Sequence, residues 1–451
     1  MANKVLVETK RSSFVRKDLL IASAFAFIGL ILIGPLLSVG IDPDTAASTT
    51  GEGSIARQAS YLLVMLALLF ALKPIENYKR VLAIPIPMMV ALAYCWLSLA
   101  WAIEPGIALR RLVLLTLIVW MVFAMIRQLK FEEVLFILRW LTAILLVANY
   151  IAAIFFPSFG THIANQMDQF ALVGDWRGIL THKNIAGVTT AFTVILFAYS
   201  PGRMPRKLQY AVLVAAMFFL YMTNSKTSFG LCIAALAAGT VFLRYKLRYK
   251  GGVIAVVALL GIVATVLGAV YQNPLVEKLN DPTAFTGRTK IWKMLYQYIS
   301  DHPFLGSGYG SFWNIGASSP VFHYASDEVT QVPYGHNGFL DIAAQLGIPG
   351  LIMVIIVAVV IPFRKLLNSP FLTGSRGAML VALFLFCICY NFTESALFYP
   401  DSVVWVMLMI TMGLSQPDLI NYQRAKFDVH ELFRVRVSQI NEPSRRRRRR
   451  T

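Results

Sequence analysis

The side chains best suited to chemistry gather in one long polar segment, residues 272–337. It contains Arg288, the glycine-rich run 306–310, and His336-Asn337 directly before an apolar run. A neutral imidazole can accept a proton near neutral pH, and a guanidinium binds phosphate oxygens through paired hydrogen bonds. The segment therefore combines a candidate general base with a candidate anion-binding group.

Composition places this segment in a membrane protein. Hydrophobic residues make up 57% of the chain and charged residues 14%, which excludes an ordinary soluble domain. Apolar runs of about 17–25 residues recur along the chain, the length that crosses a bilayer core of about 30 Å. The four cysteines all fall in apolar runs, so we interpret them as buried hydrophobic residues rather than disulfides or metal ligands.

The pattern of apolar runs predicts an all-α polytopic membrane protein with about twelve transmembrane helices and one long periplasmic loop. A cytoplasmic N-terminus, 1–18, precedes helices one to nine in 19–271. The loop 272–337 precedes helices ten to twelve in 338–416, and a basic tail, 417–451, follows. The predicted spans are 19–39, 58–73, 81–100, 109–127, 134–156, 184–200, 208–224, 228–244, 252–271, 338–361, 377–394 and 401–416.

Charge sets the orientation of these spans. Lys and Arg crowd alternate loops and the tail, whereas the first opposite loop carries Asp42, Asp44 and Glu52 against Arg57. Because positive loops stay in the cytoplasm, we predict that both termini are cytoplasmic and that the loop 272–337 is periplasmic. The same rule accounts for much of the net charge of +18, so we expect no nucleic-acid partner.

Four cations lie on the side that the charge rule should leave poor in positive residues: Arg177, Lys226, Arg288 and Lys290. Cations near a membrane interface suit a phosphate or diphosphate head group. The alternative for each is snorkelling at the interface, or a carboxylate partner such as Asp175 for Arg177.

Three further residues have two interpretations each. His336 is either a general base or a structural hydrogen-bonding group at a helix start. Asn337 could orient a hydroxyl or cap the helix beginning at Gly338. Glu394, at the end of a predicted span, is a functional candidate or a solvated helix end. The run 306–310 lacks the ending of a phosphate loop, and no metal-binding spacing occurs, so we expect neither metal nor cofactor.

Five motifs in order resemble the O-antigen ligase and Wzy-type polysaccharide polymerase superfamily, with the ExoQ-like exopolysaccharide polymerases nearest. They are Arg177-Gly178 with His182-Lys183-Asn184, Ser225-Lys226-Thr227-Ser228, Gly287-Arg288 with Trp292, His302-Pro303 with Gly306-Ser307-Gly308, and His336-Asn337 with Leu340. The resemblance implies a GT-C-like glycosyltransferase of the bacterial inner membrane that uses undecaprenyl-diphosphate-linked glycans. By the same resemblance, His336 is the general base, and Arg177 and Arg288 bind the diphosphate. Lys183, Lys226 and Asn337 are our extension of that site.

The resemblance implies polymerisation of lipid-linked repeat units into exopolysaccharide at the periplasmic face, by a metal-independent, inverting transfer. The expected partners are the lipid-linked oligosaccharide, the membrane, and a chain-length regulator with export machinery. Two alternatives stay open. One is an O-antigen ligase that transfers the glycan to lipid A core. The other is a lipid-linked sugar flippase, which is disfavoured because its polar groups should lie at the bilayer midplane.

Overall fold

The structure, a computed structural model, describes residues 2–34, 55–163, 172–199, 205–254, 288–325, 330, 332–369, 372 and 374–416. The first part of the predicted catalytic loop, 272–287, and the basic tail, 417–451, lie outside these residues, as does most of the predicted ninth span. Within the described ranges the fold is all-helical, as predicted, with one isolated antiparallel β-bridge between Thr161 and Trp176.

Thirteen helices of eight or more residues are described. They are α1 (Ala2–Ile33), α2 (Ile55–Leu72), α3 (Ile86–Leu97), α4 (Pro105–Gln128), α5 (Phe131–Phe155), α6 (Lys183–Tyr199), α7 (Arg206–Met222), α8 (Lys226–Phe242), α9 (Arg288–Asp301), α10 (Gly338–Ile355), α11 (Ile361–Asn368), α12 (Gly374–Tyr390) and α13 (Val403–Leu414). A π-helical turn, Ile356–Val360, joins α10 to α11.

Each predicted span other than the ninth overlaps a described helix, although α1 already begins at Ala2 and the predicted first span, 19–39, extends beyond the described residues. By length and composition, three helices could cross a membrane: α4, α5 and the continuous stretch Gly338–Asn368. A fourth would be α8 together with Leu247–Ile254, if a pair bent by 116° forms one span. Helices such as α6, α12 and α13 are apolar but shorter. The number of membrane crossings, twelve, therefore stays a prediction.

The centre of the fold is built from helices that are apolar all round. Twelve of the 17 residues of α12 and 11 of the 12 residues of α13 are buried, and α12 packs against α6, α8 and α13. The Phe192 and Phe386 rings meet edge to face with centroids 5.2 Å apart, joining α6 to α12. Such helices belong in the middle of a bundle because no face of theirs favours water.

A smaller apolar cluster attaches the polar segment to this bundle. The amphipathic helix α9 buries Leu295 and Tyr298 against Phe312, Trp313 and Ala344 of the following loop and α10. The opposite face of α9 carries its polar residues, which accounts for its pronounced amphipathicity. Packing of α9 on α10 fixes the first residue of α9, Arg288, next to the start of α10.

The glycine-rich run 306–310 has a packing role. Helix α10 is broken at Gly347, where φ is 68°. The preceding loop packs against this break, because the Ile348 amide donates a hydrogen bond to the Pro303 carbonyl at 2.7 Å. The Ser307 amide donates to the Ala344 carbonyl at 3.0 Å. Gly308 has a φ of 84°, and a Cβ there would overlap Ala102. Glycine is required because the loop approaches two backbones closely.

Candidate active site

Glu394 is the centre of a buried polar cluster at the helix ends. It lies in the turn after α12 and is only 5% exposed, so the solvated-helix-end alternative is wrong. One carboxylate oxygen, Oε1, accepts from Arg288 Nη2 at 2.6 Å and from Asn184 Nδ2 at 3.0 Å. The other, Oε2, lies 2.9 Å from Nδ1 of His336. One side chain thus joins the starts of α6, α9 and α10.

The turn that carries Glu394 is fastened to the start of α10. The Gly338 amide donates to the Asn391 carbonyl at 2.9 Å and to the Glu394 carbonyl at 3.1 Å. The Asn391 side chain accepts from the amides of Ala396 and Leu397 at 2.9 and 2.8 Å, which closes the turn. A Cβ at Gly338 would collide with the Asn391 side chain. The carboxylate is therefore held in place by backbone bonds on both sides.

His336 occupies a rare backbone conformation. Its φ is 49°, in the left-handed region that non-glycine residues seldom adopt. The preceding residue is fixed from two directions: Trp292 Nε1 donates to the Gly335 carbonyl at 3.1 Å, and the Gly335 amide donates to Asp341 at 3.2 Å. Such strain costs about 1–3 kcal/mol and clusters at functional sites. Because Nδ1 faces Glu394, Nε2 is the nitrogen left for a substrate.

Asn337 caps α10. Its Oδ1 accepts from the amides of Phe339 and Leu340, both at 3.1 Å, and its Nδ2 donates to the Phe392 carbonyl at 3.3 Å. Of the two roles expected for this residue, the cap is the one observed. The cap also sets the direction in which the chain leaves His336.

Arg177 lies in a turn that contacts the one-turn helix Pro157–Gly160, which follows α5. The amides of Arg177 and Gly178 both donate to the Gly160 carbonyl at 2.9 Å. The guanidinium donates to the carbonyls of Phe159 at 3.1 Å and Thr181 at 3.3 Å. No carboxylate among the described residues pairs with it.

Asp175 is paired with Lys183 instead of Arg177. Lys183 Nζ lies 2.6 Å from Asp175 Oδ2, and Asn224 Nδ2 donates to the other oxygen at 3.1 Å. The alternative that Asp175 neutralises Arg177 is therefore wrong. The charge of Lys183 is balanced within this largely buried pair.

Two imidazoles cap the start of α6. The Lys183 amide donates to His162 Nε2 at 3.2 Å, and the Asn184 amide donates to His182 Nδ1 at 3.1 Å. Burial, followed by the charge of His162, lowers the pKa of His182 to about 4. Glu394 and His336 also act on His182, so the start of α6 lies within electrostatic range of the Glu394 cluster.

Lys226 lies at the edge of the cluster. It is the first residue of α8 and is exposed, and its ammonium contacts no partner among the described residues. The preceding Ser225 hydroxyl donates to Asn184 Oδ1 at 3.3 Å, which connects the start of α8 to Glu394 through Asn184. The six predicted site residues thus come to one end of the helices, with Lys226 the most peripheral.

The charge state of Glu394 follows from its neighbours. Burial alone would raise the pKa of this carboxyl, but the His336 hydrogen bond and the Arg288 charge together lower it below its ordinary value. The group is therefore a carboxylate at neutral pH. Burial raises the pKa of Tyr334, whose ring centroid lies 4.5 Å from that of His336, so its hydroxyl stays protonated.

Sequence reasoning missed the partners of the predicted residues. Asn184 appeared only as part of a motif, Tyr334 was not singled out, and Glu394 was not connected with His336 or Arg288. The one available signal was an ionisable residue at the end of an apolar run, which selects Glu394 but not its contacts. Among the described residues, no group of three or more His, Cys, Asp or Glu side chains could hold a metal ion.

Comparison with known families finds a match in the second half of the membrane core. Residues 210–355 match the model of the family described as O-antigen ligase. The match contains Arg288, His336 and Asn337 and ends with α10, while Arg177 precedes it and Glu394 follows it. A search of curated proteins gave no match. The match confirms the resemblance to the O-antigen ligase and Wzy-type superfamily, and the closeness to its ExoQ-like branch stays a prediction.

Proposed function

We propose that this chain, which carries an O-antigen ligase domain over residues 210–355, polymerises lipid-linked repeat units into exopolysaccharide. The site would transfer a glycan from undecaprenyl diphosphate to a sugar hydroxyl. The observation that supports the proposal is that Arg288 and His336 both contact the carboxylate of Glu394. A cation and an oriented imidazole therefore share one carboxylate.

His336 is the proposed general base. Nδ1–H of His336 donates a hydrogen bond to Glu394, which leaves the lone pair of Nε2 for the proton of the acceptor hydroxyl. As that proton arrives, the imidazole becomes positive, and the carboxylate 2.9 Å away stabilises the charge.

Arg177 and Arg288 are the proposed diphosphate ligands. In the proposed step, the acceptor oxygen bonds to the anomeric carbon as the bond to the diphosphate oxygen breaks. Negative charge then grows on the diphosphate, where two guanidinium groups can offset it without a metal. Arg177 suits this role because its charge has no carboxylate partner among the described residues. A single displacement of this kind inverts the anomeric centre.

The remaining predicted residues have supporting roles in this proposal. Lys183, paired with Asp175 at 2.6 Å, fixes the segment between Arg177 and α6. Asn337 fixes the start of α10 and therefore the direction of His336. Lys226 is exposed, and we assign it to the outer phosphate or the glycan.

O-antigen ligase is the second candidate function, because the matching family model carries that description. Both reactions share the donor and differ only in the acceptor. A flippase is less well supported: the cationic and titratable residues lie at the starts of α6, α9 and α10, whereas transporters usually gather them at mid-membrane. The periplasmic position of the site, the inner-membrane location and the export partners belong to the proposal.

Purified protein in liposomes with lipid-linked oligosaccharide tests the proposal. Lengthening of the glycan without a membrane gradient supports a polymerase, and transfer to added lipid A core supports a ligase. Movement of the lipid between leaflets with no new glycosidic bond would overturn both.

A further inference from the structure

Asp341 is a buried carboxylate that the proposed reaction does not use. It lies in the first turn of α10 and is 6% exposed. An acidic residue is favourable at a helix start, but an exposed one would serve that purpose equally well. Burying a carboxylate is costly unless hydrogen bonds replace its water. Asp341 forms no ion pair with the described residues, so its burial must be explained by the groups that donate to it.

Two donors fix this carboxylate. Trp313 Nε1 donates to Oδ1 at 2.8 Å, and the Gly335 amide donates to Oδ2 at 3.2 Å. A Cβ at Gly335 would come within 2.3 Å of Oδ1, so the carboxylate packs directly against the Gly335 backbone. The bond from Trp292 Nε1 to the Gly335 carbonyl holds the same residue from its other side. Asp341 therefore fixes the residue immediately before His336.

His336 needs this support because its backbone conformation is unfavourable. A non-glycine residue with a φ of 49° persists only where its surroundings over-determine it. On the C-terminal side of His336, the Asn337 amide donates to Ser395 Oγ at 3.1 Å. On the N-terminal side, the Gly335 amide has the Asp341 carboxylate as its acceptor. The chain is thus held by a hydrogen bond on each side of His336.

Loss of the Asp341 carboxylate would release one side of this turn. The buried Gly335 amide would lack its acceptor, and a buried donor without a partner favours rearrangement. His336 would then relax toward the extended backbone that non-glycine residues prefer, which moves its ring relative to Glu394. Nδ1 of His336 lies 2.9 Å from Glu394 Oε2, and this contact is what keeps the proton on Nδ1.

We propose that Asp341 is a positioning residue for His336, which holds the imidazole in its pairing with Glu394. In this role the carboxylate acts through the Gly335 backbone and contacts no substrate. The inference rests on the proposed glycan transfer and adds the residue that prepares the general base.

The tautomer of His336 tests the proposal directly. Protein labelled with ¹³C,¹⁵N-histidine is purified in detergent, and the nitrogen chemical shifts report which imidazole nitrogen carries the proton at about pH 8, where an ordinary histidine is neutral. The signal of His336 is assigned by its loss in His336→Asn. The wild-type protein should show the Nδ1–H tautomer.

Asp341→Asn should lose the Nδ1–H tautomer. One arm of an amide side chain is a donor, so it cannot accept from both Trp313 and Gly335. If Asp341→Asn does not fold, Asp341→Ala, which removes the acceptor without adding a donor, takes its place. Transfer in liposomes gives the second readout. The rate at saturating lipid-linked oligosaccharide should fall by roughly 10- to 100-fold, the usual cost of a misplaced catalytic group, with KM unchanged.

Asp401→Asn is the matched control, because Asp401 is a similarly buried carboxylate that pairs with Arg57 of α2. It should leave both the tautomer and the rate unchanged. A wild-type tautomer in the folded Asp341 variant would overturn the positioning role, and so would an equal loss of the tautomer in Asp401→Asn. If the wild-type protein transfers no glycan, the proposed function fails, while the tautomer still decides the role of Asp341.

Discussion

At the scale of single residues, Glu394 decides what its neighbours can do. It balances Arg288 and orients His336 with the two oxygens of one buried carboxylate. Arg288 also donates to the Thr393 carbonyl, so the orientation of its guanidinium group is already fixed before a phosphate binds. A fixed fork loses little side-chain entropy on binding, which favours anion recognition.

The first prediction concerns His336. His336→Asn should lower glycan transfer by about 100- to 10,000-fold, because Asn tolerates the left-handed backbone but cannot take the proton. Transfer is measured with purified protein in liposomes. His323→Asn is the control, since His323 is an exposed histidine on the same polar segment. Undiminished transfer by a folded His336→Asn protein would return His336 to a structural role.

The second prediction concerns the two arginines. Arg177→Lys or Arg288→Lys keeps the charge but loses the planar fork, which should cost about 1.5–3 kcal/mol, roughly one to two decades in rate. Arg110→Lys, at an exposed position on α4, should change nothing. Full transfer in both site variants at normal protein levels would remove the diphosphate role. We also expect a chelator to leave the wild-type rate unchanged, and rescue by magnesium after chelation would contradict this.

At the scale of elements, the cap of α6 is sensitive to acid. The pKa of His182 is lowered to about 4, so the unfolded chain takes up a proton at higher pH than the folded chain. Stability from this group is therefore complete above the ordinary histidine pKa of about 6.5 and declines as pH falls toward 4. His182→Asn keeps a side-chain acceptor for the helix amide and should flatten this decline. Thermal unfolding midpoints in detergent from pH 7.5 to 4.5 measure it, and an unchanged slope would contradict the assignment.

The break in α10 gives a fourth prediction. Gly347 has a φ of 68° and a ψ of −179°, and a Cβ there would overlap the Phe304 carbonyl. Gly347→Ala should destabilise the protein by roughly 2–5 kcal/mol, through strain and overpacking. Gly230→Ala in α8 is the control, because a Cβ at that helical position meets no atom within 4 Å. Equal unfolding midpoints for the two variants would show that the break is not needed.

At the scale of the whole molecule, the site residues lie at one end of the helices. The orientation of the protein in the membrane decides on which side of the membrane this end binds its substrate. The Lys/Arg distribution predicts that this end is periplasmic. Ala317→Cys, at an exposed position in the loop after α9, should react with a membrane-impermeant thiol reagent on intact spheroplasts. Ser438→Cys, in the tail outside the described residues, should react only after permeabilisation. The reverse labelling would overturn the orientation and the proposed substrate.

The sequence by itself determined the helices and the main candidates. Apolar runs of sufficient length must form helices, because a backbone among apolar side chains has to satisfy its own hydrogen bonds. Arg177, Arg288 and His336 could be selected because charge and imidazole stand out in a chain with 14% charged residues.

Only the tertiary structure decided the pairings. Glu394 meets His336, Arg288 and Asn184 across 58, 106 and 210 residues of sequence, and such contacts leave no local pattern. The choice of Lys183 over Arg177 as partner of Asp175 likewise depends on the turn that directs Arg177 to backbone carbonyls. Local propensity fixes the helices, whereas the packing of α9 and the α12–α13 turn on the start of α10 fixes the site.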